Sequence, residues 1–231
     1  MQLDAPTRLY TPSSKPRGLA MLGEAIGSSF SHMRERITPR RLATAPARSR
    51  NVLVINGHPD PRPQRFCAAL CEAYAVGLAA SVRPAKRIDV GNLALPLARP
   101  HRKGESAVEE VQEALEMIRW AGHLLIVFPL WSDQPPAPLL QLLHAAARSR
   151  EAKPERHRLQ TARMIVTMEM PAFAHRAGHR GEKESLIDIA RLAIPGVRLE
   201  SPTFIGCVHA ISGEQRKRWL ETMQMFGMAG A

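Results

Sequence analysis

The stretch Gly122–Gln141, GHLLIVFPLWSDQPPAPLLQ, decides the fold class of this chain. Its first half holds the unbroken apolar run Leu124-Leu125-Ile126-Val127-Phe128. Consecutive apolar residues without polar alternation predict a strand buried on both faces. Pro129 is expected to break that strand, because proline cannot donate to a sheet ladder. Leu130, Trp131 and a polar turn follow, and Pro135-Pro136 then opens a second apolar segment, Ala137 to Ala147, as a helix. A strand that hands an aromatic residue to a loop ahead of a helix puts it where open α/β sheets bind ligands, outside the carboxyl end. Trp131 is therefore the first candidate site residue; the plainer reading is that its ring covers the sheet end.

The same alternation extends in both directions. Upstream, Asn51–Asn56 (NVLVIN) is a β-branched run that predicts a first central strand. Helical spacing of Phe66, Leu70, Ala73, Tyr74, Gly77 and Leu78 predicts a helix over Gln64–Ala80. Val82–Val90 is expected as a second strand, Leu93–Gly104 as a loop, and Ser106–Ala121 as an amphipathic helix whose buried stripe is Val108, Val111, Ala114, Leu115 and Ile118. Downstream, Arg148–Gln160 is charged, contains Pro154 and reads as a loop, and Ala162–Met168 as a fourth strand. A loop over Glu169–Gly181, a helix over Glu182–Ala193 and a fifth strand over Val197–Val208, bent at Pro202, come next. The last helix runs to about Phe226 behind Ser212 and Gln215, a capping-box pair. Regular β-α alternation predicts an α/β fold: a doubly wound parallel sheet of five strands with helices on both faces.

The chain has 231 residues, 45% of them hydrophobic, enough for a sizeable core. Its formal charge is +11, and residues 1–50 hold nine basic against three acidic side chains, more than half of that excess. These fifty residues are rich in Pro, Ser and Arg and are expected to form a basic, disordered arm, with one short helix near Leu19–Ile26, ahead of a domain over 51–231. A basic balance favours phosphate-bearing partners. No basic stripe studded with aromatics accompanies it, so specific nucleic-acid binding is not expected. Cys67, Cys71 and Cys207 make no disulfide framework, and Cys67 and Cys71 lie four apart on one helix face as small buried hydrophobes. No apolar run approaches the roughly 18 residues of a membrane span. A reducing, cytoplasmic setting is expected. Met168, Met170, Trp120 and Trp219 read as packing residues, and His175-x-x-x-His179 lacks a third partner for a metal.

The loop after the first strand carries the next candidates. No Gly-x-Gly-x-x-Gly turn is present; Gly57-His58-Pro59-Asp60-Pro61-Arg62-Pro63-Gln64-Arg65-Phe66 stands in its place. That loop still ends at a helix N-terminus, where backbone N–H groups and the helix dipole favour an anion. His58, Arg62 and Arg65 add donors for a phosphate; the plainer reading of the arginines is solvated surface.

At these residues the chain resembles the flavodoxin-like NAD(P)H:quinone oxidoreductases. The likeness rests on His58-Pro59-Asp60-Pro61 with Arg65-Phe66-Cys67-Ala68-Ala69-Leu70, and on Phe128-Pro129-Leu130-Trp131 ahead of Pro136-Ala137-Pro138-Leu139-Leu140. Val166-Thr167-Met168-Glu169-Met170-Pro171 and Phe204-Ile205-Gly206 add to it, and together these stretches span about Asn51 to Phe226. The resemblance implies a homodimer that binds FMN or FAD. It also implies transfer of a hydride from NADH or NADPH to the flavin, then of two electrons to a quinone or similar small acceptor. By the same resemblance, His58, Arg65 and Phe66 hold the phosphate side. Backbone groups of Pro129, Leu130, Trp131 and Ser132 meet one edge of the flavin ring, Thr167, Met168, Glu169 and Met170 flank the other, and His175 stands beside the acceptor. The chain departs from the family pattern at Asp133 and Glu169, two carboxylates where small glycine turns are usual, and in the short, ring-free segment 145–161. Those departures support an alternative: a non-catalytic flavodoxin-like protein with a regulatory or interaction role that has lost tight flavin binding.

Overall fold

The computed structural model of the chain describes residues 51–81, 83–93, 95, 105–131, 134–152, 161–171 and 197–230. The arm over 1–50, the helix expected at 182–193, and Ser132, Asp133, His175 and His179 lie outside these residues.

Strand β1 is Val52–Asn56, helix α1 Phe66–Ala79 and strand β2 Ala85–Asp89. Helix α2 is Glu105–Trp120, strand β3 His123–Leu130 and helix α3 Ala137–Ala152. Strand β4 is Thr161–Met168, β5 Arg198–Leu199, β6 Thr203–Ile205, and helix α4 Gly213–Ala229. The sheet order is β2-β1-β3-β4-β5, with β6 also on β4, and every pairing is parallel. Because β1 lies between β2 and β3, the chain steps one way from β1 to β2 and then back across β1 to β3. The carboxyl ends of β1 and β3 therefore flank the crevice at which an open α/β sheet reverses its winding.

Each central strand is apolar on both faces because both faces are covered. Val52, Val54, Leu125, Val127 and Ile165 pack with Leu70, Tyr74 and Leu78 of α1 and Met223 of α4. Leu53, Ile55, Leu124, Ile126, Phe128 and Val166 pack on the other face with Ala114, Leu115 and Ile118 of α2 and Leu139 and Leu142 of α3. Each fully buried leucine or isoleucine contributes roughly 1.5–3 kcal/mol. Trp120 and Trp219 pack against these two cores, as expected, and Cys67 and Cys71 are buried.

Four expectations are corrected. Pro129 does not end β3: the strand runs through it to Leu130, in register with Thr167 and Met168. Val127 faces β1, accepting the Gly57 N–H at 2.7 Å, and the β1 register stops at Asn56↔Val127. Pro129, two residues on, turns its missing N–H toward an edge that β1 has already left, so no ladder bond is lost. Helix α3 does not end near Ala147 but continues to Ala152, and Arg119 Nη1 donates to Ser149 Oγ at 2.6 Å across the α2–α3 seam. Val108 is 61% exposed rather than part of the buried stripe of α2, and Met170 is 37% exposed rather than packed.

The ends of two strands also shift. β2 starts after Pro84, and Val90 belongs to a 3-10 turn, Val90–Asn92. The fifth strand is interrupted: Thr161 pairs with Arg198 but Ile165 with Thr203, one extra residue on the outer side. Pro202, which lacks an N–H, lies in that interruption. The capping box at α4 forms as read: Ser212 Oγ accepts the Gln215 N–H and the Gln215 side chain accepts the Ser212 N–H.

Candidate functional site

The strand ends at the crevice are fixed by groups that leave little freedom. Gly57 carries the chain out of β1 so closely past α3 and β3 that a Cβ would stand 2.8 Å from both Leu139 Cδ2 and Phe128 Cβ. Asn56 is fully buried; its Nδ2 donates to Asp89 Oδ1 at 2.7 Å and its Oδ1 accepts the His58 N–H at 3.2 Å. The end of β2 and the loop after β1 are thereby joined through one side chain. The 3-10 turn closes against the same loop: a Cβ on Gly91 would meet the Pro59 carbonyl carbon and Pro61 Cδ, each at 2.8 Å.

His58 and Trp131 come together over the crevice, ring centroids 5.4 Å apart and planes at 86°. The Asp60 N–H donates to His58 Nδ1 at 2.9 Å. A backbone amide is an obligatory donor, so in the neutral ring the proton sits on Nε2, which remains a donor. Burial, with Arg65 nearby, pushes the His58 pKa below its ordinary value of 6.5, so the ring is neutral at pH 7. Trp131 is 46% exposed, and its carbonyl accepts the Gln134 N–H at 3.1 Å.

Helix α1 begins beside this pair. Its N-cap, Arg65, makes no capping hydrogen bond, and the first turn contains no acidic residue. First-turn N–H groups have no partner within a helix, so this terminus suits an anion. Arg62 and Arg65 flank it, and both reach back to Asp60. Arg62 Nη2 lies 2.6 Å and Arg65 Nη2 2.5 Å from Asp60 Oδ2. Hydrogen bonding from Arg62, with Arg65 behind it, holds the Asp60 carboxyl well below the usual carboxylate range. Phe66 faces away from this cluster: it packs against the α1–α4 core, with the Arg216 guanidinium 5.0 Å over its ring.

The far wall is the end of β4. Thr167 and Met168 are buried, and Thr167 Oγ1 lies 3.4 Å from Cys67 Sγ, tying the first turn of α1 to β4. Only Glu169 and Met170 of that group reach the surface. The Glu169 carboxylate pairs with His209 Nε2 at 3.1 Å. Behind it the Met168 and Met170 carbonyls accept the N–H groups of Val208 (3.1 Å) and Cys207 (3.2 Å). Cys207 adopts φ 53, the left-handed conformation that turns the chain back over the strand ends.

His58 thus meets Trp131 and is linked to Arg65 through Asp60, while Pro129 and Leu130 end β3 just before Trp131, and Glu169 and Met170 follow the end of the neighbouring β4. The side chains of Pro129, Leu130, Thr167 and Met168 are buried and can serve such a site only through their backbone or as support. Sequence reasoning missed the Asn56–Asp89 staple, the Cys67–Thr167 contact, and Arg216 on Phe66. The close Asp-x-Arg-x-x-Arg spacing in a turn was the available signal for the Asp60 pairing. A separate, mostly apolar groove of about 520 Å³ lies on the outer side of α1, lined by Pro61, Pro63, Val76 and Arg87 among others, and holds none of the strand-end groups. Among the described residues no group of three or more His, Cys, Asp or Glu is arranged to hold a metal ion. Among them, too, no helix is long and apolar enough to cross a membrane.

The sequence matches the family described as flavodoxin-like fold over residues 50–192. The chain belongs to that family. Solved structures of similar fold include an NAD(P)H:quinone oxidoreductase from Methanothermobacter marburgensis (TM-score 0.60, 16% identity, covering 78% of this chain and 96% of that one). An NADPH-quinone reductase from P. pentosaceus is also similar (TM-score 0.54, 12% identity, 77% and 96%). So is an FMN-dependent NADH-azoreductase from Bacillus anthracis in complex with FMN (TM-score 0.55, 10% identity, 78% and 99%). No curated protein matches the chain by sequence.

Proposed function

We propose that this chain is a flavin-dependent NAD(P)H oxidoreductase that reduces quinones or related small acceptors two electrons at a time. The observation that carries the reading is the His58–Trp131 ring contact at the winding reversal, beside the uncapped, carboxylate-free first turn of α1. The donors and the exposed aromatic fit the two ends of a flavin. The α1 amides, His58 Nε2–H and the arginines would take the phosphate of FMN or FAD, and Trp131 with the Pro129–Leu130 backbone would take the ring. Bound there, the flavin supplies two-electron exchange between NADH or NADPH and the acceptor. The protein binds and orients, and the buried strand ends exclude water from one side. Glu169 sets a negative charge just past the end of β4, opposing a gain of negative charge beside it. The named quinone reductases and azoreductase of similar fold support this class, and assembly into a homodimer belongs to the same proposal.

A second reading, a non-catalytic member of the fold, is favoured by one observation: the arginines beside α1 are already engaged by Asp60. Steady-state oxidation of NADH and NADPH by the purified chain, with FMN or FAD supplied and a soluble quinone as acceptor, separates the two. Turnover that requires flavin and acceptor together is expected. Its absence, with a chain that neither co-purifies with flavin nor takes it up, leaves the second reading.

A further inference from the structure

The loop between β1 and α1 contains its own anion, Asp60, against the two arginines just ahead of α1. Asp60 Oδ2 receives Arg62 Nε at 2.9 Å and Arg65 Nε at 2.6 Å, besides the Nη2 of each at 2.6 and 2.5 Å. Asp60 Oδ1 receives the Arg62 backbone N–H at 3.1 Å and its Nε at 3.0 Å. Both guanidinium groups therefore turn the same edge, Nε with Nη2, toward one carboxylate. That edge is the fork with which arginine grips carboxylate or phosphate two bonds at a time. Arginine does not lose its proton at any working pH, so the cluster of two cations and one anion keeps a single net positive charge.

Those paired edges converge on Asp60, and on one of its oxygens above all. The Asp60 backbone is held at the same time by its N–H bond to His58 Nδ1, which fixes the carboxylate next to the ring that meets Trp131.

We infer that Asp60 is a built-in competitor for the phosphate end of the cofactor. A cofactor phosphate gains the Nε–Nη2 edges of Arg62 and Arg65 only as Asp60 gives them up, so the carboxylate weakens the hold on a phosphorylated flavin while leaving the ring end untouched. The inference rests on the flavin reading of the site. It assigns this chain a weaker, exchangeable hold on its cofactor, governed by a residue of the loop itself.

The test compares the full chain with Asp60→Asn and Asp60→Ala, titrating FMN and riboflavin by flavin fluorescence at one fixed ionic strength. Riboflavin has the ring but no phosphate. Both variants should bind FMN about tenfold more tightly than the native chain, the scale of freed charge-assisted hydrogen bonds at a partly exposed site. Riboflavin affinity should stay within about twofold. Asp60 lies at the surface, and the two variants differ in whether the side chain still hydrogen-bonds, so a folding defect in one leaves the other to decide. FMN affinity that is unchanged or weaker in folded variants overturns the inference while the flavin reading stands. Equal tightening for riboflavin overturns it too, because the phosphate is then not what Asp60 opposes. If neither the native chain nor either variant binds FMN, the flavin reading itself fails, and this inference with it.

Discussion

A methyl group added at Gly227 sets two effects against each other. In a helix interior, alanine is preferred to glycine by about 1 kcal/mol, so propensity alone predicts that Gly227→Ala stabilises the protein. The packing of α1 against α4 predicts the reverse. A Cβ at Gly227 would stand 2.9 Å from the Leu78 N and 3.0 Å from Gly77 Cα, and nearer still to the Tyr74 carbonyl oxygen. From the other side, a Cβ at Gly77 would stand 2.9 Å from the Gln224 carbonyl carbon. The obstacles are backbone atoms of the facing helix, which cannot rotate away as a side-chain tip can. Overpacking of this kind costs roughly 1–3 kcal/mol or more, and the top of that range applies here. After the propensity gain, the net loss is about 2 kcal/mol. In a domain of this size each 1 kcal/mol moves Tm by about 2–4 °C, so a fall of about 4–8 °C is expected in a thermal melt followed by circular dichroism. Gly77→Ala should behave alike, and the double variant should lose less than the sum, because one separation of the helices relieves both clashes. A rise in Tm for either single variant would refute the close-packed seam.

Two further outcomes follow from the site. The His58 ring should titrate below 6.5 in the folded protein, as read by NMR of its ring protons. Since the folded value lies below the unfolded one, its contribution to stability is fully present above about pH 6.5 and is lost as pH falls through the folded value. His58→Gln should flatten that part of the curve of denaturation midpoint against pH. Burial pushes the Cys67 thiol up to about 11 and raises Cys71 further. Under native conditions a thiol reagent should therefore label Cys207 first, and the other two only as the protein unfolds; rapid labelling of all three would contradict the packing of α1.

The strands and their parallel order were legible because doubly covered strands show as unbroken apolar runs, and Leu124–Phe128 is the longest of these. Where the sequence misleads, the reason is a partner distant along the chain. Pro129 reads as a breaker until β1 is known to leave at Val127. Residues 148–152 read as loop by charge, but α2 supplies Arg119 to meet Ser149. At the candidate site, His58, Arg65 and Trp131 were singled out from their positions at strand and helix ends, and the structure sets His58 against Trp131 and Arg65 against Asp60. Phe66 was assigned to the phosphate side, yet its ring turns to Arg216 from α4, 150 residues on, a contact that no local pattern encodes. Arg62 and Arg65 read as open donors, although the Asp-x-Arg-x-x-Arg spacing in a turn was the one signal that Asp60 folds back onto them.

The central claim is that the carboxyl ends of β1 and β3 hold a flavin, and direct titration of the native chain with FMN and FAD tests it. One flavin should bind saturably per chain, with quenching of its fluorescence, and Trp131→Ala, which removes the ring platform, should weaken binding by about tenfold. No saturable binding of either flavin to the folded chain, or binding indifferent to the loss of Trp131, would contradict it.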